Sequence, residues 1–141
     1  MRTSIGVTPV GLRPLMHVCA TIGREVPVWD TRAAFGDTAL LVVNMDMGRD
    51  LARTLAGGNT ALMRGHGCVV VGRTLREAVY TSVYLELNAN LQAKAMALGE
   101  VVFLTPGEID KMVAATSAFT IDRAWEFWCR RANRPAQSLE I

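Results

Sequence analysis

Apolar residues in the first third of the chain recur at spacings that predict a helix followed by two strands. Four of them share one helix face at positions i, i+3, i+4 and i+7: Leu12, Leu15, Met16 and Cys19. They predict a helix over residues 11–22, entered through Pro14. A short strand is predicted at Val26–Trp29, and the continuous apolar run Ala39–Val43 is typical of a buried strand.

The strongest predicted helix begins at Thr74. Glu77 stands three residues later, which is the spacing of a capping box, in which each side chain accepts from the other residue's backbone amide. The helix runs to Gly99, and its apolar residues lie near one another along its length: Leu75, Val79, Val83, Leu87 and Leu91. We expect this helix to cover the sheet.

Three shorter helices follow from similar signals. Asn44 or Asp46 can cap a helix that ends at Leu55. Thr105 with Glu108 repeats the capping-box spacing and opens another helix. The apolar face of a terminal helix consists of Ile121, Ala124, Trp125 and Trp128. Strands and helices mixed in this order indicate an α/β layered domain, although periodicity does not reveal strand order.

A single histidine interrupts the most apolar part of the chain. The run Ala61–Met63 stops at Arg64-Gly65-His66-Gly67 and resumes at Cys68–Gly72, which predicts two β-segments with His66 on a buried strand. The flanking glycines allow the backbone to bend, so that the imidazole projects into a cleft. On the local pattern alone, a core or turn histidine bonded to backbone is the simpler interpretation.

Composition and charge narrow the classes of partner. The 141-residue chain is 50% hydrophobic with a formal net charge of +2, which allows one folded domain over residues 1–141. Its charges are mixed, so nucleic acid and anionic membranes are poor candidate partners. No apolar run reaches the ~18 residues of a membrane span. The three cysteines form no Cys-x-x-Cys pair, which favours a reduced protein in the cytoplasm.

The segment around His66, together with the Tyr84–Ala89 part of the long helix, resembles the class II aldolase/adducin family. Upstream, Arg13–His17, Val26–Asp30 and Gly48–Ala52 fit the same family in the same order. The resemblance implies a three-layer α/β/α sandwich around a mostly antiparallel sheet. It also implies a cyclic homotetramer with active sites at the subunit interfaces.

The resemblance further implies a divalent metal, zinc or alternatively manganese, held by three histidines and often a glutamate. His66 matches the histidine of the family's Gly-His-Gly segment. The other two lie in a His-x-His pair, but the only other histidine here is His17. We therefore expect a partial domain that begins after that pair and lacks the N-terminal strands of the fold. Such a chain should bind metal weakly and have little activity alone.

Two further residues are candidate catalytic groups. Arg64 can hold a carboxylate or phosphate with its planar guanidinium, or it can brace a neighbouring loop. His17 follows an Arg-Pro-x-x-His pattern that resembles the family branch acting on hydroxylated aromatic acids, which implies carboxylate binding or proton transfer. On the local pattern alone, His17 is a partly exposed helix histidine.

Other chemistry-bearing side chains are expected to be structural. Glu86 is expected to be a buried acid, with a hydrogen bond to a metal ligand as the alternative. Tyr80 and Tyr84 share a helix face, where core packing is expected rather than proton donation. The aromatic stripe at Trp125 and Trp128 is expected to anchor the terminal helix rather than to cover a substrate ring.

The resemblance implies a lyase that cleaves a carbon–carbon bond through a metal-stabilised enolate. Its small-molecule substrate is either a hydroxylated aromatic acid that is decarboxylated or a sugar phosphate that undergoes aldol cleavage. The Arg13–His17, Tyr84–Gln92 and Arg123–Trp128 segments look more like the decarboxylases. The alternative is a non-catalytic assembly or interaction module of the same fold, as in adducin-like members, and the missing His-x-His pair favours it.

Overall fold

The computed structural model describes residues 4–133, which form one small sheet and the helices around it. The strands are β1 (Val28–Trp29), β2 (Thr60–Met63) and β3 (Gly67–Val70). The α-helices are α1 (Arg32–Phe35), α2 (Met45–Leu55), α3 (Leu75–Leu98), α4 (Pro106–Ala115) and α5 (Ala118–Arg131). Two 3₁₀ helices, Ser4–Val7 and His17–Ile22, complete the elements of the described range.

Helices pack on both faces of the sheet because successive residues of β2 point in opposite directions. β2 is the central strand, parallel to β1 and antiparallel to β3. Leu62 packs with Leu85 of α3 in one hydrophobic cluster, whereas Met63 packs with Met47 of α2 in another. This arrangement confirms the predicted α/β layered domain, and the sheet within the described residues is mixed.

Residues 11–15, here called the strap, lie against α3 without forming a helix. Two amide side chains of α3, both fully buried, bond to the backbone of the strap. The four bonds are Leu15 N to Asn88 Oδ1 (2.9 Å), Asn88 Nδ2 to Arg13 O (2.7 Å), Arg13 N to Gln92 Oε1 (3.1 Å) and Gln92 Nε2 to Gly11 O (2.7 Å). The amides therefore satisfy buried backbone groups that would otherwise destabilise the fold.

The predicted helix over residues 11–22 is wrong in its first half, because helical structure begins only at His17. The backbone of the strap bonds to α3, and the Val26 amide donates to the Leu12 carbonyl at 2.9 Å, so these groups are not available to a helix. The apolar stripe still marks the core, since Leu12 and Cys19 are fully buried.

Helix α3 extends to Leu98, as predicted, but it buries a different face. Three residues of the predicted apolar stripe are between 37% and 47% exposed: Leu75, Val83 and Leu87. The buried face consists of Tyr80, Thr81, Leu85, Asn88, Ala89 and Gln92. Apolar residues occur all around this helix, so the periodicity does not fix the face. The hydrogen-bonding groups of the strap require the two amides to lie on the buried side.

The buried strand predicted at Ala39–Val43 is also wrong. Leu40 has a left-handed backbone with φ of 61°, which breaks the extended conformation that a strand needs. Val42 and Val43 are 42% and 69% exposed. No strand of the described range pairs with this segment, so its apolar side chains have no second layer to enter.

The predicted caps of α2 and α4 are confirmed. Asn44 caps α2, and α4 begins with a complete capping box between Thr105 and Glu108. The predicted box of α3 forms only in part: the Thr74 hydroxyl accepts from the Glu77 amide at 3.2 Å, whereas Glu77 Oε2 accepts from the Arg73 amide at 2.8 Å. Within residues 4–133, every helix falls short of the length or the apolarity that a membrane crossing requires.

Candidate functional site

His66 lies in the turn that joins β2 to β3 and is exposed, so its predicted place on a buried strand is wrong. The antiparallel register pairs Met63 with Gly67 and leaves three residues for the turn. Gly65 adopts φ of +69°, and the His66 amide donates to the Met63 carbonyl at 3.0 Å. A three-residue hairpin loop commonly needs one left-handed residue, and glycine supplies it without strain. The imidazole is thus held on a tight, defined turn.

Arg64, in the same turn, braces the loop that follows β1, which is one of its two predicted roles. Its Nε donates to Asp30 Oδ1 at 2.8 Å, and its backbone amide donates to the Trp29 carbonyl at 2.9 Å. Asp30 also bonds Arg32, whose Nη2 lies 2.6 Å from the carboxylate. The Arg32 guanidinium, with a further contribution from Arg64, holds the pKa of Asp30 well below its usual range. Asp30 therefore remains ionised and fixes both arginines.

An open cleft of about 720 Å³ adjoins this arginine pair. Its walls come from residues 6–11 and 25–28 together with Asp30, Arg32 and Arg64, here called the arginine cluster. Four ionisable side chains line it: Glu25, Asp30, Arg32 and Arg64. Two are acidic and two are basic, so their formal charges cancel. An anion that enters this cleft must therefore compete with Asp30 for Arg64, which is 31% exposed.

His17 begins the second 3₁₀ helix and is exposed, rather than lying in the middle of a helix. Nearby, the Arg13 guanidinium stacks over the Phe103 ring at 4.5 Å. No hydrogen bond or ion pair within residues 4–133 joins His17 to the turn that carries Arg64 and His66. The described residues also contain no group of three metal-ligating side chains. They supply one suitable imidazole, which does not by itself fit a catalytic zinc site.

Glu86 is exposed on the outer face of α3, so the predicted buried position is wrong. It lines a groove with Met16, Leu87 and Lys94 among others. The error has the same cause as the misplaced face of α3, because the turn that contains Glu86 points outward there.

Tyr80, Tyr84, Trp125 and Trp128 pack in the structure rather than forming a reactive site, as predicted. The Tyr80 and Tyr84 rings lie 4.6 Å apart, and each centroid is 6.1 Å from that of Trp128. Burial raises the pKa of Tyr80 to about 12, which makes it a poor proton donor or acceptor near neutral pH. Trp125 is buried and anchors α5.

Asp30 and Arg32 are site residues that the sequence analysis did not identify. Both follow directly after β1, and Asp30 reaches Arg64 because β1 lies parallel to β2. A polar residue at a strand end was the available signal. Its partner could not be inferred, since strand order was unknown.

The sequence of this chain is similar to those of known proteins. Residues 7–93 match the family model described as "Class II Aldolase and Adducin N-terminal domain". The chain is 30% identical to decarboxylase tropJ of Talaromyces stipitatus over 90% of its own length and 56% of that protein. It is 34% identical to decarboxylase NovR of Streptomyces niveus over 62% of its own length and 31% of that protein.

The fold has a solved counterpart. It superposes on an L-fuculose 1-phosphate aldolase with a TM-score of 0.64 and 22% identity, covering 80% of this chain and 50% of the other. This likeness confirms the predicted class II aldolase-like fold. The chain spans just over half the length of tropJ and about a third of NovR. Since the family model matches well over half of its residues, the chain belongs to the class II aldolase and adducin family.

Proposed function

We propose that this chain is part of a metal-dependent lyase that cleaves a carbon–carbon bond. Two relatives named as decarboxylases favour decarboxylation of a hydroxylated aromatic acid over aldol cleavage of a sugar phosphate. The observation that carries the proposal is His66, which a tight hairpin turn presents to solvent. An exposed, rigidly placed imidazole is suited to binding a metal ion.

His66 would be one ligand of a divalent ion, with zinc as the proposed metal and manganese as the alternative. Catalytic zinc normally has three protein ligands and one open position. The described residues of one chain contain no complete set, so the remaining ligands would come from another subunit or from residues beyond 4–133. Arg64 and His17 remain candidates for binding a substrate carboxylate, and neither is assigned a chemical step.

Assembly into a homo-oligomer, with a tetramer as the proposed form, is supported by apolar side chains at the surface. Val43 and Met45 are both 69% exposed, next to Leu41 at 49%. Contiguous exposed apolar residues commonly mark protein interfaces. We also propose that the protein resides in the cytoplasm.

A non-catalytic assembly module is the second candidate function. One observation favours it: residues 4–133 contain no group of three metal-ligating side chains. A module would need the fold and its surfaces but no metal. The two functions therefore differ in whether His66 binds a divalent ion.

The test uses the fact that the chain has only two histidines. Its ¹H–¹³C NMR spectrum contains two imidazole ε1 signals, which the His17→Ala variant assigns. Zinc sulfate is added in steps. In the wild type we expect the His66 signal to shift at a lower zinc concentration than the His17 signal, and in His17→Ala we expect the same shift of His66. A parallel assay of decarboxylation and aldol cleavage should detect little turnover by the chain alone. No shift of His66, or an equal shift of His17, would support the assembly module instead.

A further inference from the structure

A second cavity lies at the opposite end of the β2–β3 hairpin from His66. Its volume is about 470 Å³, and its walls come from the hairpin end, α3, α4 and α5. Asn59 precedes β2 and Val71 follows β3, so both mark the open end of the hairpin. The strands separate this end from the His66 turn by roughly 13 Å. This cavity is therefore distinct from the proposed metal site.

Thr21 lines the cavity and carries a hydroxyl group with an unmet hydrogen-bonding need. Thr21 Oγ1 is buried and has no hydrogen-bond partner among residues 4–133. The Thr21 carbonyl, in contrast, accepts from Asn59 Nδ2 at 2.7 Å, which fixes the residue in place. Buried hydroxyls in native proteins are nearly always bonded to protein, water or ligand. The cavity is far larger than the about 30 Å³ that one water occupies, so it has room for more than a single bridging water.

The other walls define the chemistry of a ligand. Val71, Tyr80 and Ile121 provide apolar surface. The charged lining residues are Arg73 and Glu77, which pair with each other at 2.8 Å, so they leave no net charge for a ligand. Small-molecule sites commonly have this composition of apolar walls and a few polar groups, within volumes of about 300–1,000 Å³.

We propose that this cavity binds a small uncharged, mainly apolar molecule, such as a phenol, whose hydroxyl or carbonyl group bonds to Thr21. The site does not depend on the lyase function, since it shares no residue with the His66 turn or the arginine cluster. Binding there would couple the start of α3 to α4 and α5, because all three helices contribute walls.

The experiment follows the Ile121 methyl signal. Among the isoleucine side chains that the structure describes, Ile121 alone lines the cavity, so selectively methyl-labelled protein gives a local reporter with Ile22 and Ile109 as internal controls. Phenol, toluene and benzoate are titrated separately. We expect phenol to shift Ile121 in a saturable way, with benzoate much weaker because its charge would have to be desolvated.

Variants test the role of the hydroxyl. Thr21→Val should weaken phenol binding by roughly two- to tenfold, the range of one net hydrogen bond, whereas Thr21→Ser should retain it. Toluene should bind equally to all three proteins. Val113→Trp, at a lining position that is 46% exposed, should block the cavity and abolish the shift. The control signal away from each substitution, Ile109 for the Thr21 variants and Ile22 for Val113→Trp, keeps its position when the variant is folded. Absence of a phenol shift, or equal phenol affinity in Thr21→Val, would overturn the proposal.

Discussion

At the scale of single residues, the side chains of Asn88 and Gln92 form the hydrogen bonds with the backbone of the strap that a neighbouring strand would otherwise form. A carboxamide offers both a donor and an acceptor, so one side chain can satisfy an N–H and a C=O of an adjacent backbone. Sequence reasoning did not identify these residues, because their burial depends on partners 73 to 81 positions away. On a helix with apolar residues on every side, two amides alone do not indicate which face is buried.

The first prediction concerns Asn88. Asn88→Leu should lower the free energy of unfolding by about 2–4 kcal/mol, because it leaves the Leu15 amide and the Arg13 carbonyl without partners. Asn90→Leu, at an exposed position of the same helix, is the matched control and should change it little. Urea denaturation measures both. A loss below about 1 kcal/mol for Asn88→Leu would show that the strap is not held in this way.

The second prediction concerns the pH dependence of stability at Asp30. Its pKa is lower in the folded chain than in the unfolded one, first because of Arg32 and then because of Arg64. The unfolded state therefore binds the proton more tightly. The contribution of Asp30 is fully present above about pH 4, near the unfolded pKa, and is lost as pH falls further through the lower folded pKa.

Replacing Asp30 with asparagine should flatten the acid side of the stability curve. The control is Asp46→Asn, since the Asp46 side chain is 78% exposed and pairs with Arg49, which is also exposed. Thermal unfolding between pH 2.5 and 7 compares the three proteins. Parallel curves for wild type and Asp30→Asn would show that the cluster contributes nothing measurable.

At the scale of elements, local signals located the caps of α2 and α4 correctly, but not the elements that depend on distant partners. Asn44 and the Thr105–Glu108 box act within one turn of the chain, so their effect can be inferred from neighbouring residues. The apolar run Ala39–Val43 has the composition of a strand. Its conformation depends on a pairing partner, and the described range offers none.

The hairpin turn gives the third prediction. Gly65 has φ of +69°, and an added Cβ would lie 3.0 Å from Leu40 Cδ1. Gly65→Ala should therefore cost about 1–2 kcal/mol of stability through backbone strain. Gly67→Ala is the control, because its added methyl meets nothing within 4 Å and its φ is not left-handed. If both variants unfold at the same urea concentration, the turn is not strained by a side chain.

At the scale of the whole molecule, the family and layered fold could be inferred from the sequence, whereas the relative positions of the site residues could not. Arg64 and His66 are adjacent in sequence and share one turn. Asp30 joins them only through the parallel pairing of β1 with β2. The exposed apolar side chains, Leu41, Val43 and Met45 among them, predict self-association.

The fourth prediction is that the apolar surface at Leu41, Val43 and Met45 supports association of copies of this chain. The double variant Val43→Glu and Met45→Glu should shift the sedimentation coefficient toward that of a monomer at micromolar concentration. Leu98→Glu is the control, since Leu98 is 91% exposed at the end of α3, away from this surface. A double variant that sediments like the wild type would place the contacts elsewhere.

The strap has a consequence for how this protein can evolve. Within the described part of the chain, the side chains of Asn88 and Gln92 bond to main-chain atoms of residues 11, 13 and 15 alone. Those bonds are independent of which side chains the strap carries. Mutations at Arg13 or Leu15 can therefore accumulate while the path of the backbone toward His17 is conserved. The fold thus separates the residues that can diversify for new ligands from the residues that keep the scaffold in place.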